Sequence, residues 1–121
     1  MANTYSQMYV QTIFVVKYRK AILLKDWRTE IFGVIGNLIN DTGCKTVIVN
    51  GVEDHVHCFF GFNPSDRISG VMRTVKSNSS KWLNESGYLR HRFEWQPGYG
   101  SFTYNLSSIL ISGKNLGDKL V

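Results

Sequence analysis

Apolar and polar residues follow each other along this chain in two rhythms, one typical of strands and the other typical of helices. Residues 5–18 (YSQMYVQTIFVVKY) are rich in β-branched and aromatic types and include the apolar run Ile13–Val16, which predicts a buried strand. Asp26 precedes a segment in which apolar residues recur every three or four positions, so we expect a helix capped by Asp26 and ended by Gly43. Its apolar positions are Trp27, Ile31, Val34, Ile35, Leu38 and Ile39.

Two further strands are predicted after the first helix. Residues 44–50 and 54–62 are both rich in apolar residues, and the dipeptide Asn50-Gly51 between them is typical of a tight hairpin turn. We therefore expect these two strands to form an antiparallel hairpin.

A second helix and a fourth strand complete the pattern. Ser65 or Asp66 can cap the helix, and Gly87 can close it. The apolar positions of this helix are Ile68, Val71, Met72, Val75, Trp82 and Leu83. A loop rich in aromatic residues and glycine then leads into a strand around residues 99–105.

The predicted order is strand, helix, strand, strand, helix, strand, which is the split β-α-β arrangement of ferredoxin-like α+β folds. We expect a sandwich in which both helices cover one face of an antiparallel sheet. A length of 121 residues with 43% hydrophobic content fits one domain.

The charge of the chain bears on its partners and location. The formal net charge is +5 and the pI is about 9.4, which favours nucleic acid as a partner but would also suit an anionic membrane surface. No apolar run is long enough to span a bilayer, and the start MANTYSQMYV lacks the layout of a secretion signal. We therefore expect a soluble, cytoplasmic protein without a membrane partner.

The two cysteines, Cys44 and Cys58, lie in apolar strand contexts and form no C-x-x-C pair. A free thiol in such a context behaves as a small hydrophobic group, so both are interpreted as core residues. A zinc site is the competing interpretation, but no second closely spaced ligand pair completes a tetrahedron.

The stretch DHVHCFF in the third predicted strand contains the first candidate chemistry. Side chains alternate along a strand, so His55, His57 and Phe59 share one face. The two imidazoles could hold a divalent cation over a phosphate, or they could be ordinary polar residues that face water. A working site would need further ligands, and Mg²⁺, Mn²⁺ and Zn²⁺ all accept imidazole and oxygen ligands.

Basic residues form two groups that suit contact with a nucleic-acid backbone. One group follows the first strand, and the other runs along the second helix and the loop after it. The candidates for DNA contact are Lys17, Arg19, Lys20, Arg73, Lys76, Arg90 and Arg92. Interleaved aromatics such as Tyr18 and Tyr99 could stack unpaired bases, whereas Trp82 and Phe93 are better explained as core residues.

Four segments together resemble one known family: TYSQMYVQTIFVVKYR, NGVEDHVHCFFGFNPS, VKSNSSKWLNE and FEWQPGYGSF. In this order and spacing they are similar to the single-tyrosine transposases of small bacterial insertion sequences, which are members of the HUH nuclease superfamily and include REP-associated tyrosine transposases. The similarity covers residues 1 to about 109.

The resemblance implies a ferredoxin-like fold, a homodimer, and binding of single-stranded or hairpin DNA at the ends of an insertion sequence. It implies that His55 and His57 bind a catalytic divalent metal, Mg²⁺ or Mn²⁺, and that DNA strands are cleaved and rejoined through a phosphotyrosine. In the family, a helix after the fourth strand carries the tyrosine, and a glutamine one turn later completes the metal site.

This chain departs from the family pattern at both of those positions. The tyrosine position falls on Asn115, which has no nucleophilic oxygen of that kind, and the glutamine position falls on Lys119, a cation. Tyr104 is a weak substitute as nucleophile, and Tyr99 a similarly weak one. We expect a DNA-binding and nuclease-like domain over residues 1–109, with an atypical, truncated or replaced tail over 110–121 and impaired cleavage.

Two other functions remain open from the sequence. One is a non-catalytic nucleic-acid-binding module that uses the sheet of a ferredoxin-like fold, with His55 and His57 as bystanders. The other is a metal-dependent hydrolase that uses water, which is weaker because only Glu53 and Asp54 supply carboxylates near the pair. Asp54 could also orient one of the two histidines.

Overall fold

A computed structural model of the protein describes residues 8–63 and 65–105. They form four strands and two longer helices in the predicted order. The elements are β1 (Met8–Val15), α1 (Arg28–Asp41), β2 (Lys45–Gly51), β3 (His55–Phe62), α2 (Ile68–Ser86) and β4 (Gly100–Asn105). A short turn at Lys17–Arg19 follows β1, and the predicted tail over 110–121 lies outside the described residues.

The strands form one sheet in the order β2-β3-β1-β4. Every neighbouring pair is antiparallel, with Ile13 of β1 opposite His57 of β3 and Gln11 of β1 opposite Phe102 of β4. The two strands that are first and third in the sequence are therefore central, as the split β-α-β arrangement requires. The predicted α+β, ferredoxin-like fold is confirmed.

The hydrophobic core lies between the two helices and one face of the sheet. From the sheet it takes alternate residues such as Val10 and Phe14 of β1 and Val56 and Phe60 of β3, all completely buried. The helices contribute Ile31, Ile35, Ile39, Val71, Met72, Val75 and Leu83. Because the alternate side chains of β3 point to the opposite face, this packing turns His55 and His57 away from the core.

Both cysteines are core residues, as predicted. Cys44 and Cys58 are buried and form no disulfide. Burial raises the pKa of the Cys58 thiol to about 12, and burial likewise raises the pKa of Cys44. Neither thiol is therefore set up as a reactive group or metal ligand at neutral pH.

The predicted helix caps are wrong, although the helix ends are right. The residue before α1 is Trp27, whose side chain makes no capping hydrogen bond; instead, the N–H groups of Trp27 and Arg28 donate to the carbonyl of Leu24. Arg67 precedes α2, also without a side-chain cap. Asp66 is unavailable because it accepts the backbone N–H of Asn63 at 3.0 Å.

Ser65 also turns toward Asn63 rather than capping α2, since its hydroxyl donates to the amide oxygen of Asn63 at 2.8 Å. The helix ends agree better with the sequence. Gly43 and Gly87 follow the two helices with φ of 95° and 85°, the left-handed conformation expected of glycine at that position.

The hairpin turn lies three residues later than Asn50-Gly51, with Glu53 and Asp54 at its centre. β2 continues through Gly51, which pairs with Val56, and the turn is closed by the N–H of Val52, which donates to the carbonyl of His55 at 3.0 Å. Glycine is needed here for close approach, because a Cβ at position 51 would collide with the carbonyl oxygen of His55.

Candidate metal site and nucleic-acid interface

His55 and His57 lie side by side on the sheet face opposite the two helices. We call this surface the histidine face, formed by Gln11, Ile13, His55, His57 and Phe59. The two ring centroids are 5.0 Å apart with the rings tilted by 58°, and both side chains are partly exposed. The predicted convergence of the two imidazoles is therefore present in the structure.

Asp54 holds the ring of His55 from one side. The Nδ1 atom of His55 is 2.7 Å from Oδ1 of Asp54, a distance at which Nδ1–H donates to the carboxylate. This hydrogen bond is the main reason that the pKa of Asp54 lies below its usual value, with a smaller contribution from Arg19. With Nδ1 engaged, the Nε2 atom of His55 is the one left to bind a ligand.

Gln11 occupies the equivalent position at His57. Its Nε2 atom lies 3.4 Å from His57 Nδ1, and its side chain is only 5% exposed. A half-turn of the amide exchanges donor and acceptor, so Nδ1–H of His57 can donate to the amide oxygen and leave Nε2 for a ligand. Burial and the neighbouring His55 lower the pKa of His57, which favours the neutral ring that metals require.

Gln11 also links His57 to Tyr104 on β4. In the orientation recorded, the hydroxyl of Tyr104 donates to Oε1 of Gln11 at 3.4 Å; after the half-turn of the amide, its NH2 group faces Tyr104 and the hydroxyl accepts instead. The Tyr104 ring packs beside Phe59 with centroids 6.1 Å apart, and Tyr9 stacks on Phe59 at 5.6 Å. Tyr104 is thus part of an aromatic cluster that supports the histidine face.

The two histidines fit a divalent cation as partial ligands. Each ring is oriented by a hydrogen bond at Nδ1, which is the usual support of a metal-binding histidine. In residues 8–63 and 65–105, however, no group of three or more His, Cys, Asp or Glu residues could hold a metal ion. Water, a substrate oxygen or a residue outside those ranges would have to supply the remaining ligands.

One of the two predicted basic groups adjoins the histidine face. Arg19 lies 3.6 Å from the carboxylate of Asp54, and Asp54 in turn binds His55. Lys17 pairs with Glu94 at 3.5 Å, whereas the side chain of Lys20 is exposed. The structure therefore brings the turn after β1 to the histidines.

The second basic group lies along α2, on the other side of the sheet. Arg73, Lys76 and Arg92 line one open groove together with Ser77 and Ser80. Arg90 is exposed but does not line this groove. The helix α2 packs on the core face of the sheet and not on the histidine face, but the groove adjoins the turn after β1, because Glu94, which lines the groove, pairs with Lys17.

Lys76 has a structural contact within that groove. Its ammonium group donates to the carbonyl oxygens of Gln96 and Gly98, both at 2.7 Å, and burial lowers its pKa. Lys76 thus anchors the glycine loop before β4, and its contact with DNA stays a prediction, as for the other basic residues.

The aromatics of the chain divide between core and surface. Phe93 and Trp95 are buried, which confirms the interpretation of Phe93, and Trp82 is partly buried against the core. Tyr88 stacks on Trp27 with centroids 4.8 Å apart. Tyr18 is different, because 74% of it is exposed.

Gln11 is the site residue that the sequence analysis missed. The available signal was a polar residue in the apolar strand segment YVQTIFVV, at a position that faces the same side as His57 once β1 and β3 are paired. That pairing cannot be read from β1 alone, since a shift of one residue would move Gln11 to the core face.

Comparison with known proteins agrees with this architecture. Residues 4–113 match the family described as "Transposase IS200 like". No curated protein matches the chain. Among solved structures, a protein from Deinococcus radiodurans R1 assigned as a transposase superposes with a TM-score of 0.75 at 16% identity, over 100% of this chain and 98% of that one.

A REP-associated tyrosine transposase bound to a REP hairpin superposes with a TM-score of 0.61 at 15% identity. This chain covers 64% of that protein, and 98% of this chain is matched. At these identities the two structures show a shared fold, while the sequence match spans most of the chain. The protein therefore belongs to the IS200-like transposase family.

Proposed function

We propose that this protein binds single-stranded or hairpin DNA and holds a divalent cation, Mg²⁺ or Mn²⁺, with His55 and His57. The observation that carries the proposal is the pair of rings 5.0 Å apart, each with a hydrogen-bonding partner at Nδ1. Membership of a transposase family supports it, as does the fold shared with a transposase bound to a hairpin.

Each residue around the pair has a role in this proposal. Asp54 and Gln11 fix the two rings so that both Nε2 atoms point to the cation. Arg19 and the neighbouring lysines attract the phosphate backbone by charge. When bound, the cation would polarise a phosphodiester and neutralise its developing charge.

The basic groove on α2 is proposed as a second DNA contact. Arg73 and Arg92 lie on the opposite side of the sheet from the histidines, which suits a folded DNA element more than a short single strand. Lys76 contributes positive charge there even while it anchors the loop.

We further propose that strand cleavage is impaired in this chain. The family resemblance assigns the nucleophile to Asn115 and the last metal ligand to Lys119, both outside the described residues, and the match to the family ends at residue 113. Tyr104 is a poor substitute, because its hydroxyl bonds Gln11 and its ring packs beside Phe59. A misplacement of about 1 Å already costs a large factor in rate.

The second candidate function is a nucleic-acid-binding module without a metal. It is favoured by the finding that the described residues alone do not complete a ligand set. A homodimer and a cytoplasmic location, both expected from the sequence, remain predictions under either function. Neither helix in the described part of the chain could cross a membrane.

Metal binding separates the two candidates. The Tm of the wild type is measured with and without Mn²⁺ and compared with His55→Ala, His57→Ala and, as a matched control, His91→Ala, which removes an exposed histidine elsewhere. We expect Mn²⁺ to raise the Tm of the wild type and of the control only, since a ligand that binds the folded state stabilises it. The same shift in all four proteins would favour the module without a metal.

Cleavage is tested separately. The protein is incubated with Mn²⁺ and labelled single-stranded DNA that contains the end of the insertion sequence. Denaturing gels are then inspected for a covalent adduct between protein and DNA. We expect retarded migration of DNA in native gels and no adduct. An adduct that survives denaturation would overturn the proposed impairment while leaving DNA binding in place.

A further inference from the structure

The turn at Lys17–Arg19 contains the most unusual backbone of the described residues. Tyr18 and Arg19 are consecutive and have φ of 60° and 54°, and in the described part of the chain they are the non-glycine residues with positive φ. This conformation is unfavourable for a residue with a Cβ, and glycine or asparagine usually takes it. Strain of this kind persists where the surroundings fix it, often at functional sites.

The surroundings do fix this turn. The backbone N–H groups of Val16, Lys17 and Arg19 donate to the carbonyls of Asp54, Glu94 and Val16 at 2.9, 3.0 and 2.8 Å. The N–H of Tyr18 donates to the side-chain oxygen of Gln96 at 3.3 Å. Four successive amides are thus engaged, so the backbone of the turn is held and the direction of the Cα–Cβ bond of Tyr18 is set in advance.

The contacts of the Tyr18 ring with the rest of the protein do little to offset this strain. The ring is 74% exposed, and the ammonium groups of Lys17 and Lys20 lie 5.4 and 6.0 Å from the ring centroid. Cation–π contacts at exposed sites are weak. A turn that served only to redirect the chain would be more stable with glycine at position 18.

The location of the turn relates it to the histidines. Val15 is directly opposite His55 in the sheet, and three residues of chain keep the Cα of Tyr18 within about 11 Å of that of Val15. Arg19 reaches the carboxylate of Asp54 at 3.6 Å, and Asp54 binds His55. The exposed ring of Tyr18 therefore belongs to the same short turn as Arg19, which reaches the candidate metal site through Asp54.

We propose that Tyr18 is a stacking position for an unpaired nucleobase of a DNA strand, with Lys17, Arg19 and Lys20 beside the backbone of the same strand. An aromatic face flanked by positive charge is the combination that binds single strands without reading their sequence. This inference rests on the proposed DNA-binding function and deepens it. It proposes that one base stacks on Tyr18 and that this base is next to the nucleotide that the histidines would hold.

The test uses two labelled probes with the same number of phosphates: the oligonucleotide (dT)15 and a 15-mer made only of abasic sites. Binding of the full chain is measured by fluorescence anisotropy at fixed salt. We expect Tyr18→Ala to weaken binding of (dT)15 on the order of tenfold to a hundredfold and to leave binding of the abasic 15-mer unchanged. Tyr18→Phe keeps the ring and should bind both probes as the wild type does.

Two further variants separate stacking at Tyr18 from an effect on folding and from the loss of any surface tyrosine. Tyr18→Gly should lose (dT)15 binding like Tyr18→Ala while its Tm rises, because glycine relieves the positive φ. Tyr88→Ala is the matched control, since that ring is already stacked on Trp27, and it should leave the ratio of the two affinities unchanged.

The outcomes distinguish this inference from the proposed function. A wild type that binds hairpin DNA or (dT)15, with the same affinities in Tyr18→Ala, would overturn the role of Tyr18 alone. A wild type that binds none of these DNAs would overturn the proposed function and this inference with it. An equal loss for both probes in Tyr18→Ala would also contradict base stacking.

Discussion

At His55 and His57, the hydrogen bond at Nδ1 of each ring decides whether Nε2 is available to bind a cation. The alternation of side chains along DHVHCFF was sufficient to predict that the rings share a face, because that periodicity is a property of any strand. The sequence also indicated Asp54 as a possible support. It could not indicate Gln11, which meets His57 only through the pairing of β1 with β3 across 46 residues of chain.

The support given by Asp54 can be measured directly. Asp54→Ala should lower the affinity for Mn²⁺ about tenfold to a hundredfold, because the ring of His55 loses the partner that orients it and enhances its basicity. Asp54→Asn, which can still accept from Nδ1–H, should lose less. Isothermal titration calorimetry with Mn²⁺ measures both.

Glu53→Ala is the control for the loss of a carboxylate, since Glu53 lies 3.9 Å from Arg28 and pairs with it rather than with a histidine. Equal affinities in Glu53→Ala and Asp54→Ala would mean that the carboxylate of Asp54 does not act through His55.

The buried thiol of Cys58 predicts a dependence of stability on pH. Its pKa is raised to about 12 in the folded state, so above the ordinary value of 9.0 the unfolded chain loses the proton and the folded chain keeps it. Stability should therefore fall as pH rises through this window, by up to about 1.4 kcal/mol for each pH unit. Urea unfolding at pH 8 and pH 10 should show a smaller decrease for Cys58→Ala than for the wild type. Parallel decreases would contradict the prediction.

At the scale of elements, the sequence predicted the order and type of the four strands and the two longer helices of the described residues, because apolar periods of two and of three to four are set by packing on a core. It extended the first strand through Tyr18, whereas β1 ends at Val15 and a short turn follows at Lys17–Arg19. It predicted the starts of the helices and the hairpin turn less well. Asp66 and Ser65 found partners at Asn63, and Asn50-Gly51 became the end of β2. Such details depend on competition between neighbouring polar groups, which a local pattern does not resolve.

Two glycines give opposite predictions when each is replaced by alanine. Gly51→Ala should destabilise the protein by about 2 kcal/mol or more, since the new Cβ would collide with the backbone carbonyl of His55 and the hairpin must shift. Gly33→Ala in α1 meets nothing within 4 Å and should stabilise the protein by about 0.5–1 kcal/mol.

Chemical denaturation of both variants gives the two free energies of unfolding. A neutral Gly51→Ala variant would mean that the turn after β2 adapts freely, and the Mn²⁺ response of that variant would then show whether the histidines adapt with it.

At the scale of the whole molecule, the two basic regions are neighbours, because Glu94 lines the α2 groove and pairs with Lys17 of the turn after β1. The sequence identified both groups of residues but could not predict this contact, because Lys17 and Glu94 meet only through the fold. Both groups contribute to the net charge of +5, which by itself does not distinguish nucleic acid from an anionic membrane as partner.

Salt dependence reports how many phosphates the α2 groove contacts. The double variant Arg73→Ala, Arg92→Ala should bind hairpin DNA more weakly, and the slope of log K against log salt concentration should become less steep by about 2. The control is Lys25→Ala, which removes an exposed cation before α1, outside the groove. Unchanged slopes in the double variant would exclude the groove from the complex.

The order of the strands has one consequence for how this protein tolerates change. β3 is an inner strand, held by β2 on one side and β1 on the other, so the amides of His55 and His57 belong to the part of a fold that opens last. Hydrogen exchange should therefore be slowest there and faster along β4. Substitutions in the outer parts of such a protein would therefore leave His55 and His57 side by side on β3.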